Sequence, residues 1–150
     1  MLKTVARTAA AEPGAELVTL RDDSITVLAR MRILDVDQVT AALRFRSAFD
    51  SAVDAAQDSL GFREWQSPGP PPAALVERRA QATRDLEAAR HLVGAHGFWL
   101  LGRICGEGYS VLDLYATRRE RDTHTDLLKL HLTSLAELWA SDLAPARDRA

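Results

Sequence analysis

The chain has 150 residues, with 47% hydrophobic and 27% charged side chains, the balance of an ordinary water-facing globular protein with enough apolar material for one core. A formal charge of −2 and a pI near 6.1 argue against a generally basic nucleic-acid coat, while leaving room for a local cationic patch. The lone cysteine, Cys105, excludes an internal disulfide and a CxxC-type metal site. No apolar run approaches the roughly eighteen residues of a membrane span, and the first twenty residues lack the apolar centre of a signal peptide. A cytoplasmic location with no membrane contact is therefore expected.

Residues 1–21 are rich in Ala, carry Pro13 and Gly14 and show no sustained period, which predicts a flexible N-terminal arm. Asp22, Asp23 and Ser24 offer capping oxygens for a short first helix whose apolar face is Ile25, Leu28 and Met31. A second helix is expected from Asp35, where Gln38 three residues on completes a capping box. Its apolar face runs through Val39, Ala42, Phe45, Phe49, Val53, Ala56 and Leu60, and Gly61 is its stop. Phe62 and Trp65 are expected to tuck against the helices. The Pro-rich stretch 67–74 that follows can be neither helix interior nor central strand, and it predicts an exposed connection with Pro72 suited to the next helical turn.

A third helix is predicted from about Ala73 to Val93, with a seam at Leu75, Arg79, Ala82, Leu86, Ala89 and Val93. Paired with the second, it makes a long antiparallel helical hairpin, or it meets a copy of itself in a homodimer. Gly94 and Gly97 punctuate the chain. The next stretch, Phe98, Trp99, Leu100, Leu101, Ile104 and Cys105, is apolar nearly all round and predicts a central buried helix ended by Gly106-Glu107-Gly108. Ser110 with Asp113 forms a second capping box, ahead of a short helix facing inward through Val111, Leu114 and Tyr115. Residues 117–122 read as a turn, Asp122 or Thr123 as the cap of a final helix. That helix carries the stripe Leu128, Leu132, Leu135 and Trp139, with Leu127, Leu130 and Leu138 beside it; residues 142–150, with Pro145, form a tail.

The resulting expectation is an all-α fold of five to six helices in a single helical domain, residues 22–141, with a hairpin and a C-terminal helix-turn-helix-like unit. In such a unit the amino-terminal residues of the last helix face the bases. Here they include Thr123, His124 and Lys129, mixed with Asp122 and Asp126, so base reading is poorly served. Arg118, Arg119 and Arg121 stand just ahead of that helix, where its positive dipole end and their own charge suit backbone phosphate or an acidic protein surface. Arg78, Arg79, Arg84 and Arg90 form a secondary basic patch on the third helix.

Catalytic constellations are missing. His91, His96, His124 and His131 include one pair seven residues apart, with no carboxylate or cysteine at metal-ligand spacing. Cys105 sits in an apolar run as an inert core thiol, and the glycines form neither GxGxxG nor a P-loop. Asp35-Val-Asp37 lacks the remaining ligands of a calcium loop. No enzyme, cofactor or metal is expected.

Two stretches resemble an alphaproteobacterial helical domain family that has no functional name. Its members often follow a DNA-binding helix-turn-helix module or occur in phage-like and gene-transfer-agent regulatory genes. Residues 25–50, ITVLARMRILDVDQVTAALRFRSAFD, are similar to the family's short helix followed by AG-E-R-F/L-R, with Ala42, Arg44, Phe45 and Arg46 at the corresponding positions. Residues 100–139, LLGRICGEGYSVLDLYATRRERDTHTDLLKLHLTSLAELW, resemble its closing part and, more loosely, region four of bacterial sigma factors. The resemblance implies a non-enzymatic DNA-binding or transcription-associated regulatory protein of phage-like origin. Its partner is DNA or a transcription-machinery protein. The alternatives are a protein–protein adaptor or self-associating module, and a small phage DNA-packaging or structural protein.

Overall fold

A computed structural model describes residues 2–3, 20–21, 23–60 and 69–143. It is all-α: helices α1 (Ser24–Arg30), α2 (Val36–Ser59), α3 (Ala73–Leu101), α4 (Val111–Leu114) and α5 (Arg118–Leu143), with a π-helical turn at Gly102–Gly106 continuing α3. A two-residue antiparallel ladder also pairs Leu2 with Arg21 and Lys3 with Leu20. The rest of the expected arm lies outside the described residues, as do Asp22, Gly61, Phe62, Trp65, the start of the Pro-rich stretch and the tail beyond Leu143.

Short α1 is too brief to hold by itself. Ile25 goes into the core, Leu28 packs partly against it, and Met31, expected on the same face, is exposed because the helix has already ended there. Asp23 occupies the cap position without making a side-chain cap. Its carboxylate instead meets Arg46 at 2.6 Å, while Ser24 donates across the molecule to the Ile104 carbonyl at 2.8 Å. The chain leaves α1 through Arg32 at φ 59°, with the Ile33 N–H donating to the Leu28 carbonyl and the Arg32 N–H to that of Ala29, a Schellman closure with Arg where Gly is usual.

The Asp35–Gln38 capping box forms as the spacing predicts. Gln38 is itself buried, because its Nε2 donates to the Lys129 carbonyl at 3.2 Å and to Thr133 Oγ1 at 3.0 Å, tying the start of α2 to α5. Along α2 the expected face is buried at Ala42 and Phe45 and partly at Phe49, but Val53, Ala56 and Leu60 are exposed. The apolar period outlasts the packing: α3 reaches the far end of the helix at Asp58, on a side that leaves Val53, Ala56 and Leu60 exposed.

The α2–α3 hairpin is antiparallel: Arg44 meets Asp85, and further along α2 Asp58 meets Arg79. Pro72 is the residue before α3 rather than part of its first turn. Gly94, at φ 81° and ψ 177°, is non-helical and divides α3 into two helical arms across a kink, Ala73 to Val93 and the apolar stretch after it, where the sequence places the break. Beyond the bend Leu100, Leu101, Ile104 and Cys105 are buried, whereas Trp99 is exposed.

The π-helical turn has a visible cause. The Phe49 ring from α2 wedges against Gly102 and Gly106, and a Cβ on Gly106 would stand 2.7 Å from it. The extra backbone residue lets the turn swell around that ring. Gly108, at φ 87°, then closes the element with the Tyr109 N–H on the Arg103 carbonyl.

Helix α5 lies beside both arms of the hairpin and supplies Leu128, Leu132, Leu135 and Trp139 to a core shared with Ile25, Phe45, Leu100 and Ile104. Leu127 and Leu138 pack at its edge, but Leu130, expected beside the stripe, is exposed. None of these helices is long and apolar enough to cross a membrane.

Candidate functional site

The last third of the chain departs from a helix-turn-helix at one point. The Ser110–Asp113 capping box is present, with Asp113 N–H on Ser110 Oγ at 3.2 Å and Ser110 N–H on Asp113 Oδ2 at 2.9 Å, but α4 beyond it is a single turn. The helix-turn-helix unit is therefore not confirmed. Helix α5 also begins earlier than the charged stretch suggests. Thr117, not Asp122 or Thr123, starts it: Thr117 Oγ1 accepts from the Glu120 N–H at 3.2 Å and donates to Glu120 Oε1 at 2.9 Å.

Arg118, Arg119 and Arg121 consequently lie in the first turn of a 26-residue helix rather than in a turn before it. Cations there oppose the helix dipole, which favours acids at that end. Arg118 projects almost wholly into solvent, 3.8 Å from Asp122, and Arg119 is exposed. Arg121 is turned inward and its Nε donates to the Tyr115 carbonyl at 2.8 Å, holding α4 to α5. Thr123 is exposed, and Lys129 is half-buried beside the α2–α5 contact made through its carbonyl. His124 does not face outward as a reading residue: its ring stacks on Tyr115 with centroids 3.7 Å apart, and its Nδ1 sits 2.7 Å from the Glu120 carbonyl.

From His124 a run of rings and cations crosses the surface. His96 of α3 lies edge-to-face with His124 at 5.8 Å and nearly parallel to Trp99 at 6.2 Å. The Arg103 guanidinium, ion-paired with Glu107 at 2.9 Å, lies 5.6 and 5.9 Å from the Trp99 and Tyr109 ring centroids. Trp99 and Tyr109 are each 43% exposed, unlike the core tryptophan Trp139 at 5%. The pattern of apolar residues from 98 to 105 hides this, since a helix apolar all round carries no sign of which side meets solvent.

The secondary basic patch is not assembled. Arg79 pairs with Asp58, Arg84 reaches Glu77 and Gln81, and Arg90 lies over the Phe98 ring at 6.0 Å. Residues 78, 79, 84 and 90 point around α3 rather than along one side, as their spacing on a 3.6-residue turn requires.

A groove of about 380 Å³ lies between α2 and α5, lined by Gln38, Ala41, Arg44, Thr133, Glu137 and Trp139. Its charged floor is already engaged. Arg44 forks onto Asp85, lies 4.6 Å over the Trp139 ring, and holds its proton more firmly than an ordinary guanidinium because of the Asp85 hydrogen bonds. Cys105 is buried among apolar side chains, and burial pushes its thiol up to about 12, far from a reactive thiolate. Among the described residues no three or more His, Cys, Asp or Glu side chains come together as a metal-binding set. No protein-family model, curated protein or solved structure matches this chain.

Proposed function

We propose that this is a non-enzymatic DNA-binding, transcription-associated regulatory protein that holds phosphate at the amino-terminal end of α5. The observation that carries the reading is the placement of Arg118 and Arg119, exposed, in the first turn of a long helix. A phosphate there gains from the helix dipole and from two guanidinium groups whose repulsion it relieves. The one-turn α4 and the inward His124 weigh against base reading by a recognition helix, so contact through the DNA backbone with little sequence preference is expected. The phage-like origin rests on the family resemblance alone.

Titration of labelled duplex DNA at rising salt tests this. Binding that weakens steeply with salt, and falls further in Arg118→Ala with Arg119→Ala, supports it; unchanged binding in that double variant removes this surface from the account.

A second reading, self-association or an adaptor role, is favoured by Leu43, Val53 and Val76, large apolar side chains 41–51% exposed on the hairpin. Light scattering of the protein alone, without nucleic acid, distinguishes it: a stable dimer whose surface includes these residues supports association through the hairpin.

A further inference from the structure

We infer that the contact between His96 and His124 is a pH-sensitive clasp, which holds α4 and the first turns of α5 against α3 at neutral pH and releases them in mild acid. The inference goes beyond the function proposed above and stands without it. Three imidazoles meet where the second arm of α3 packs on α5. The His96 ring lies edge-to-face with that of His124, their centroids 5.8 Å apart. His131, about two turns after His124 on the same side of α5, puts its Nε2 2.9 Å from where a Cβ on Gly97 would stand, against the residue that follows His96.

The groups that face this contact do not balance an added proton. From the α4–α5 turn comes Tyr115, whose ring stacks on His124 and whose phenol stays neutral, pushed up by burial and then by Glu120. From α5 come Arg121, a cation bonded to the Tyr115 carbonyl, and Glu120, whose carboxylate takes the Thr117 hydroxyl. Asp126 lies on the opposite, exposed side of the helix. From α3 come His91 on the first arm, exposed, and Arg103 beyond Trp99, already paired with Glu107. Among the described residues none of the three imidazoles pairs with a carboxylate. Two neutral rings pack there without penalty, whereas two imidazolium ions repel each other. Burial, and then His96, already hold His131 below the ordinary imidazole value.

Release is local because α5 does not enter the core until Leu128. Neither α4 nor the part of α5 before Leu128 has a fully buried residue, and Val111, Leu114, Tyr115 and Leu127 are only partly covered. Leu128, Leu132 and Leu135 are buried and stay where they are. A segment with so few buried apolar contacts belongs to the low-stability end of a domain, where a small repulsion is enough to open it. Its release moves Arg118 and Arg119 as well, since both lie in the first turn of α5.

Amide hydrogen exchange of the full chain at about pH 7.5 and about pH 5.5, corrected for the intrinsic pH dependence of exchange, tests the clasp. Protection of residues 111–127 should fall by about tenfold in acid, the size of a repulsion between two partly exposed like charges about 6 Å apart. Residues 128–139 should keep theirs. In His96→Gln, which cannot charge, most of that fall should disappear. In His96→Arg, which is always charged, the segment should be loose at both pH values. Circular dichroism of each variant checks the helices, and His124→Gln repeats the test from the other side of the contact should His96→Gln not fold. Equal protection of the parent at both pH values overturns the clasp, as does a fall of the same size in the Gln variants. A loss shared equally by residues 128–139 overturns it too, because the whole domain then loosens rather than this end of it.

Discussion

Arg44 and Asp85 meet side-on, with Nε 3.0 Å from Oδ2 and Nη2 2.9 Å from Oδ1, a two-point contact between α2 and α3. Gln81 donates to the same carboxylate at 2.8 Å, and Arg44 reaches on to Trp139 and to Asp142 of α5. All three long helices therefore converge on one guanidinium. Asp85→Ala takes away the nearer carboxylate and leaves that charge to Asp142 at 3.7 Å, and the expected loss is about 3 kcal/mol, held to that level because the Arg44 side chain is 30% exposed and keeps this second partner. Urea unfolding measures it; a loss below about 1 kcal/mol would place this pair with ordinary surface ion pairs.

Phe49 and Gly106 make the opposite kind of contact, one in which an added methyl has nowhere to go. Gly106→Ala puts a carbon 2.7–2.9 Å from three atoms of the ring. The cost expected from such overpacking is about 2 kcal/mol. Combining it with Phe49→Leu should be less destabilising than the sum of the two single changes, because the smaller side chain vacates the disputed space. Simple additivity in thermal melts would refute the wedge.

Arg32 is the described non-glycine residue with positive φ, at 59°. A side chain with a Cβ is strained there and glycine is not, so Arg32→Gly should stabilise the fold by about 1 kcal/mol. A rise in the melting temperature checks it. Arg32→Val, β-branched, should lower that temperature.

His131 lies against the Gly97 backbone, with Nε2 2.9 Å from where a Cβ would be. Burial first, and the neighbouring His96 second, hold its imidazolium below the usual value of 6.5. The unfolded chain thus takes up this proton before the folded one does as pH falls. Its contribution to stability is fully present above about pH 6.5 and is lost as the pH drops through the lower folded value. Melting temperatures followed between about pH 7 and pH 5 should fall less in His131→Gln than in the parent; parallel curves would contradict the assignment.

What the sequence revealed was local. Asp35 with Gln38 and Ser110 with Asp113 form the two capping boxes because each needs only a three-residue spacing. The Leu128–Leu132–Leu135–Trp139 stripe is buried because helical periodicity alone puts those residues on one side. The start of α5 was misread where several capping residues competed. Thr117 wins over Asp122 and Thr123, and its hydroxyl and Glu120 satisfy each other. The α2 face past Phe49 was overextended, since periodicity states which side is apolar and not how far a neighbour reaches.

The candidate site was half visible. The arginines of the α5 end stood out by their clustering, but the ring run joins residues from 96 to 124 whose adjacency depends on how α3, α4 and α5 pack. Arg44 and Asp85, forty-one residues apart, carried no mark distinguishing them from solvated charges. Gly94 was visible as a break and is one, a non-helical residue between two helical arms, although the angle between those arms is not written in the sequence.

The bond from Ser24 to the Ile104 carbonyl bears on the order in which the chain assembles. It joins positions eighty residues apart, and α1 has only seven residues with which to persist alone. The carbonyl it needs belongs to the π-helical turn, so the acceptor is in place only after the bent end of α3 has formed around Phe49. On a ribosome the first helix made is therefore among the last to dock, waiting for nearly the whole domain to emerge. The early segment is a late latch.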